Sequence, residues 1–133
     1  MHAMHRIRWL LFSLALFDCG LFTVGFFAPS LWFAIFHGAP YIDPQALLPR
    51  TAAAWAAFAL LQTIAAFKWK ERPEWLLVVA GVRLSDMFTD WTYLALCHDV
   101  TWFGRLSLAA VSPANLVIGL YLWRAYFRLQ ASK

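Results

Sequence analysis

Four ionisable residues lie inside long apolar stretches of the sequence: Asp18, Arg83, Asp86 and Asp90. Placing one in an apolar medium costs about 2.5–3.5 kcal/mol on membrane-insertion scales, so each needs a partner or a function. If residues 83–90 are helical, the last three share one face within about 60°. That face must point toward other helices or water. Two amides from other apolar stretches complete the polar set: Gln62 and Asn115.

The charges of this set do not balance, because three carboxylates accompany one guanidinium. At least one carboxylate is therefore protonated, hydrated, or bound to a cation or ligand. One interpretation is an internal network, in which Arg83 pairs with Asp86 and Asp18 and the two amides satisfy what remains. The other interpretation is a binding site in which Asp90 is the hydrated carboxylate.

Residue types that bind metals occur between the apolar stretches: His37, Asp43, His98 and Asp99. Histidine and carboxylate ligands suit zinc or copper, so these residues form a candidate metal site, although their spacing matches no motif. No histidine lies deep in an apolar stretch, where it could ligate a haem. No stretch carries a nucleophile–base pair. The sequence therefore predicts no catalytic residue and identifies no cofactor.

The composition places these residues in a membrane. The chain has 133 residues, of which 62% are apolar and 14% are charged, compared with about 45–50% and about 25% in an average soluble domain. A soluble domain of this size cannot hide so much apolar side chain. The composition predicts an integral membrane protein and excludes a soluble enzyme, a disordered chain and a disulfide scaffold.

Four apolar stretches have the roughly 20 residues that a helical span needs, at about 9–28, 46–67, 75–96 and 103–123. The segment from Ser30 to His37 is aromatic but too short to span, which predicts a helix at the membrane surface. We therefore expect an all-α fold with one transmembrane domain over residues 1–133. It is an integral membrane four-helix bundle with a short interfacial helix between spans 1 and 2.

Basic residues outside the spans are distributed asymmetrically. The side with both termini and the connector at 68–73 has eight: Arg6, Arg8, Lys68, Lys70, Arg72, Arg124, Arg128 and Lys133. The other side has two: Arg50 and Arg105. Because Lys and Arg concentrate in cytoplasmic loops, we expect both termini in the cytoplasm. The expected location is a plasma membrane or a bacterial inner membrane.

Three features resemble a known group of proteins. They are a glycine-containing first span that ends in proline (GLFTVGFFAP, 20–29), Arg50 just before the second span, and an Arg-x-x-Asp in the third (VRLSD, 82–86). Together with the topology they resemble the small four-helix membrane proteins grouped as DoxX-like. The resemblance implies a small membrane subunit, associated in some members with quinone-linked oxidoreductases. It carries over no catalytic residue, and Asp90 is additional to the pattern.

Two functions fit these observations. The first is a non-enzymatic accessory or scaffold subunit of a larger membrane complex, which the resemblance would make redox-linked. Its partners are the lipid bilayer and other membrane subunits or further copies of the chain, and not nucleic acid. The alternative is a small transporter or binder of a lipophilic or cationic solute that uses the intramembrane carboxylates. A membrane enzyme ranks last.

Overall fold

The computed structural model describes residues 2–131, and the side chains of residues 5–131. Lys133, which contributes to the charge asymmetry, lies outside this range. All regular structure within the range is helical, so the all-α prediction is confirmed. The five helices are α1 (His2–Phe27), α2 (Pro29–Phe36), α3 (Leu47–Lys68), α4 (Glu74–Leu96) and α5 (Trp102–Ala131).

The helix boundaries between α1 and α3 follow from local chemistry. Proline disfavours helical backbone in the residue before it, and Ala28, with φ −135° and ψ 55°, separates α1 from α2. Pro29 then occupies the first turn of α2, where its missing N–H costs nothing. The backbone N–H groups of Leu47 and Leu48 begin α3 by donating to the carboxylate of Asp43, at 2.9 and 2.8 Å.

The long helices form two antiparallel pairs. α1 packs against α3 and α4 packs against α5, while α3 also contacts α4. Gly25, near the end of α1, lies against Ala52, near the start of α3. Gly119 lies against Leu84, so α5 approaches α4 closely where it has no side chain. The pairs thus bring the polar face of α4 toward the other helices.

A buried apolar cluster lies at one end of the four long helices, where α1 and α4 begin and α3 and α5 end. All four long helices contribute side chains to this cluster. The cluster therefore joins the two helix pairs. Its members are Ile7, Leu11, Leu14, Ala65, Ala66, Trp69, Leu76, Val79, Ala80 and Leu122.

Three helices are long and apolar enough to cross a membrane: His5–Phe27, Leu47–Lys68 and Trp102–Ala131. They correspond to the first, second and fourth predicted spans. α4 has 23 residues and a comparable length. However, every 18-residue stretch of it contains Arg83, Asp86 and Asp90, so its own composition does not identify it as a span.

α2 and the start of α5 are held together through backbone groups. The N–H of Thr101 donates to the carbonyl oxygen of Phe36 at 2.8 Å, and its hydroxyl donates to the carbonyl oxygen of Ile35 at 2.8 Å. Gly104 is buried beside this contact. A Cβ at this position would lie 2.7 Å from the same Phe36 oxygen.

We expect Gly104→Ala to lower the free energy of unfolding by about 1–3 kcal/mol, the usual cost of an overpacked contact. A backbone oxygen cannot rotate away as a side chain can. Gly81→Ala is the matched control, because a Cβ there meets nothing within 4 Å; it should be neutral, or stabilising by up to about 1 kcal/mol. Thermal unfolding in detergent measures both. Equal stability of the two variants would contradict this contact.

Candidate functional site

The centre of the polar site is an ion pair between α1 and α4. Nη2 of Arg83 donates to Oδ2 of Asp18, and the two side chains are 2% and 1% exposed. Nη1 of Arg83 reaches Oδ2 of Asp86 at 3.4 Å, one turn along α4. Asp86 is 20% exposed, so it lies at the edge of the buried region. One guanidinium therefore bridges two carboxylates from different helices.

A third helix contributes Gln62, which is fully buried on α3. Its amide Nε2 donates to Oδ2 of Asp18 at 2.7 Å, so that one oxygen accepts hydrogen bonds from both neighbouring helices. Among the described residues, Oε1 of Gln62 and Nε of Arg83 are buried without a hydrogen-bond partner. An unpaired buried polar atom costs about 1–3 kcal/mol, so the network is less stable than a fully paired one.

Asp90 lies one further turn along α4 and is partly buried. Its Oδ2 is buried and has no partner within the described part of the chain. The ion pairs of Arg83 reach Asp18 and Asp86. Asp90 therefore shares the polar face of α4 without a direct bond to the cation of that face.

α5 contributes less to the site than the sequence indicates. Asn115 is 4% exposed. Within residues 5–131, however, its side chain makes no hydrogen bond to the polar cluster. Its neighbour Ser112 donates to the carbonyl oxygen of Met87 at 3.3 Å, which ties α5 to α4. The structure thus brings together Asp18, Gln62, Arg83 and Asp86. Asp90 lies beside them, and Asn115 is buried against α4 without a hydrogen bond to them among the described residues.

His37, a metal candidate of the sequence, is held by other groups. Its Nδ1 lies 3.0 Å from the backbone oxygen of Asp99, and its Nε2 lies 2.7 Å from the hydroxyl of Tyr93. Because a carbonyl oxygen only accepts, Nδ1 carries the proton and Nε2 accepts from Tyr93. Its ring also stacks on Phe33, with ring centres 4.4 Å apart.

Asp43 has a structural role at the start of α3. The backbone N–H groups of Leu48 and Leu47 stabilise its ionised form, which holds the pKa of this carboxyl below its ordinary value. The hydroxyl of Tyr41 also donates to it, at 3.1 Å. A carboxylate engaged in this way is not directed toward a shared metal.

The remaining metal candidates do not complete a site. The backbone carbonyl oxygen of Asp99 accepts from His37. The backbone carbonyl oxygen of His98 accepts from the guanidinium of Arg105. Within the part of the chain that the structure describes, no three His, Cys, Asp or Glu side chains are placed to hold a metal ion. The structure therefore does not assemble the metal site that these residue types suggested.

Tyr93 is the polar residue of this region that sequence reasoning missed. It is the seventh residue after Asp86, two helical turns away, and so belongs to the same face of α4. Its hydroxyl bonds His37 at the end of α2. Extending the helical periodicity beyond the charged residues would have found it. The polar face of α4 thus runs from Arg83 toward the short helix.

No protein-family model matches the chain, and no curated protein or solved structure is similar to it. What the site can do follows from its own charges. With Asp18 and Asp86 both ionised, the bonded group carries a net negative charge, and Asp90 adds to it. Such a group attracts protons or cations and repels anions.

Replacing Arg83 by Leu should destabilise the protein by about 3–5 kcal/mol, because it leaves a buried carboxylate without its cation. Adding Asp18→Leu should recover more of this loss than adding Asp86→Leu, since Asp18 is the more buried partner. Arg50→Leu, at an exposed position, should change stability by about 0.5 kcal/mol or less. Thermal unfolding in detergent at neutral pH measures all four variants. Parental stability of Arg83→Leu would show that Arg83 is not paired.

Proposed function

We propose that the chain is an integral membrane protein with four spans, of which α4 is the third. α4 has the length of a span, since 23 residues extend over about 34 Å. Its composition alone does not make it one, but its most costly side chain is compensated within the protein. Arg83 is buried against Asp18 of α1, and Leu76 and Val79 belong to the common apolar cluster.

The charge distribution supports an orientation in which both ends of the chain lie in the cytoplasm. The membrane would then be a plasma membrane or a bacterial inner membrane. The apolar cluster joins Ile7, Trp69 and Leu122, so the start of α1, the connector after α3 and the end of α5 lie together. Seven basic residues of the described range belong to that end: Arg6, Arg8, Lys68, Lys70, Arg72, Arg124 and Arg128. Basic residues favour the cytoplasmic side.

Topology reporters test this orientation. A reporter fused after residue 133 should be active only as a cytoplasmic marker, and one inserted at Asp99 only as an external marker. A third reporter at Lys70 should match the C-terminal one. Placement of Asp99 and Lys70 on the same side would mean that α4 does not cross the membrane.

Within the membrane, we propose that the protein is a non-enzymatic accessory or scaffold subunit. The observation that carries this proposal is the outer half of α4. Phe88 and Trp91, at other angles around the same half of the helix, are 64% and 47% exposed, and on the polar face Asp86 and Asp90 are partly exposed. Lipid cannot satisfy a carboxylate, so this surface favours cover by protein. A partner subunit or a second copy would supply it.

The same half of α4 also lines an open groove of about 650 Å³, next to the polar face. It combines aromatic rings with hydroxyl groups, a combination that suits a protein partner more than lipid tails. Its lining residues are Phe88, Thr89, Thr92, Tyr93, Leu96 and Cys97. The resemblance to DoxX-like proteins favours a redox-linked complex.

A photo-crosslinking amino acid at position 88 tests the accessory role in intact membranes. We expect an adduct of defined mass, and an adduct of twice the chain mass would identify a second copy. The matched control is position 16 on α1, where Leu16 is 75% exposed and lipid contact is expected. A chain that gives no adduct at position 88 and is extracted only as a monomer would contradict this role.

A second candidate, a binder or transporter of cationic solutes, is favoured by one atom. Oδ2 of Asp90 is buried and has no hydrogen-bond donor among the described residues, and Asp86 lies one turn away. A lipophilic cation could neutralise these carboxylates. A protein partner and a bound solute are therefore competing explanations of how the carboxylates of Asp86 and Asp90 are satisfied.

Tetraphenylphosphonium is a suitable probe for this candidate. If the solute interpretation is correct, the purified protein binds it, and Asp86→Asn combined with Asp90→Asn abolishes binding. Asp99→Asn, in an exposed loop, serves as the control and should bind like the parent. Isothermal titration measures the affinities. Binding that survives the double substitution at every pH would exclude these carboxylates as the site.

A further inference from the structure

A second groove, of about 460 Å³, lies at the basic end of the molecule, on the far side of the apolar cluster from Asp90. Its floor is apolar and includes Ile7 of α1 and Trp69, which is 1% exposed. Val117 and Leu120 of α5 form its apolar wall. Val117 is 66% exposed, so the wall is accessible from outside the bundle.

Two arginines lie at the mouth of this groove. Arg124 and Arg128 are one helical turn apart on α5, and both are exposed. Within residues 5–131, neither makes an ion pair; the pairs of that range are Lys68–Glu71, Arg83–Asp18 and Arg83–Asp86. A guanidinium matches phosphate with two parallel hydrogen bonds, and two such groups in register prefer an anion to a neutral ligand.

We propose that this groove binds an anionic phospholipid, with its phosphate between Arg124 and Arg128 and an acyl chain along Val117 and Leu120. The depths agree with this arrangement. Val117 is seven residues before Arg124, which places it about 10 Å along α5 from the arginine, toward the middle of the helix. The acyl chain of a membrane lipid likewise extends from its headgroup toward the middle of the bilayer.

The charges at this end select an anionic lipid over a zwitterionic one. Arg6, Arg8 and Arg72 belong to the same end and add to its positive potential. The carboxylate of Glu71 pairs with Lys68 at 3.3 Å, and among the described side chains no carboxylate forms an ion pair with Arg124 or Arg128. Basic pockets between helices at the cytoplasmic surface are typical binding sites for anionic headgroups.

The inference rests on the proposed membrane placement, so the experiment begins with alkaline carbonate extraction of the membranes. A chain released by carbonate contradicts the membrane placement itself. For a chain that stays in the membrane, native mass spectrometry in a neutral detergent compares binding of phosphatidylglycerol and of phosphatidylcholine with identical chains. Tighter binding of phosphatidylglycerol is expected, and equal binding overturns the lipid proposal alone.

The decisive variant is Arg124→Gln combined with Arg128→Gln. Each basic residue near a membrane surface contributes roughly a fivefold change in anionic-lipid affinity, so the double variant should bind phosphatidylglycerol about 25-fold more weakly. Arg6→Gln combined with Arg72→Gln removes the same charge from the same end, outside the groove, and should weaken phosphatidylglycerol binding clearly less than the groove variant does. Equal losses in the two double variants would show general electrostatic attraction, and would overturn a defined site.

Two further arms test the groove and the source of the phosphate. Val117→Trp fills the apolar wall without a change of charge, and should weaken phosphatidylglycerol binding; unchanged binding overturns the proposal. Inorganic phosphate at millimolar concentration should not displace the lipid. Full displacement would identify a simple anion site, and would equally overturn it. Thermal unfolding of each variant confirms that the fold is intact before the affinities are compared.

Discussion

Arg83 must be neutralised wherever α4 lies, because its side chain is only 2% exposed. The neutralising group comes from α1, through Asp18, so this contact links one helix pair to the other beside the common apolar cluster. Attraction between buried charges is largely offset by their desolvation, so the net stabilisation is small, whereas loss of one partner is costly. The pair therefore specifies the arrangement of the helices more than it stabilises them.

The interior of the bundle is apolar at one end and polar farther along the helices. At the end where α1 and α4 begin, apolar side chains from the long helices close the interior around Leu11, Leu76 and Leu122. Beyond that cluster the interior is polar, and within the described range one buried atom each of Gln62, Arg83 and Asp90 has no hydrogen-bond partner. The apolar cluster and the incompletely paired polar region therefore lie at different depths of the same bundle.

Much of this architecture could be predicted from the sequence, because long apolar stretches and prolines act locally. The helix between the first two long segments was predicted at Ser30–His37 and is observed at Pro29–Phe36. α5 continues to Ala131, beyond the expected end of the span near residue 123. A span boundary is set by the membrane, and a helix boundary by backbone hydrogen bonds.

The site could be predicted only in part. Helical periodicity identified the polar face of α4, but not which carboxylate Arg83 prefers, since this depends on side-chain reach between helices. Asn115 shares the depth of the cluster without bonding to it. Composition likewise does not show that the carboxylate of Asp43 accepts from the first backbone N–H groups of α3, so the candidate metal residues could not be sorted by their local roles.

The order of synthesis gives the Asp18–Arg83 pair a further consequence. Asp18 is made 65 residues before Arg83, which at roughly 5–20 residues per second is an interval of about 3–13 s. During this time α1 holds a carboxyl group whose cation does not yet exist. Gln62, made 44 residues after Asp18, is the earlier of its two partners. In the order of synthesis, the amide of Gln62 on α3 is therefore available to the Asp18 carboxyl group before the guanidinium of Arg83 on α4.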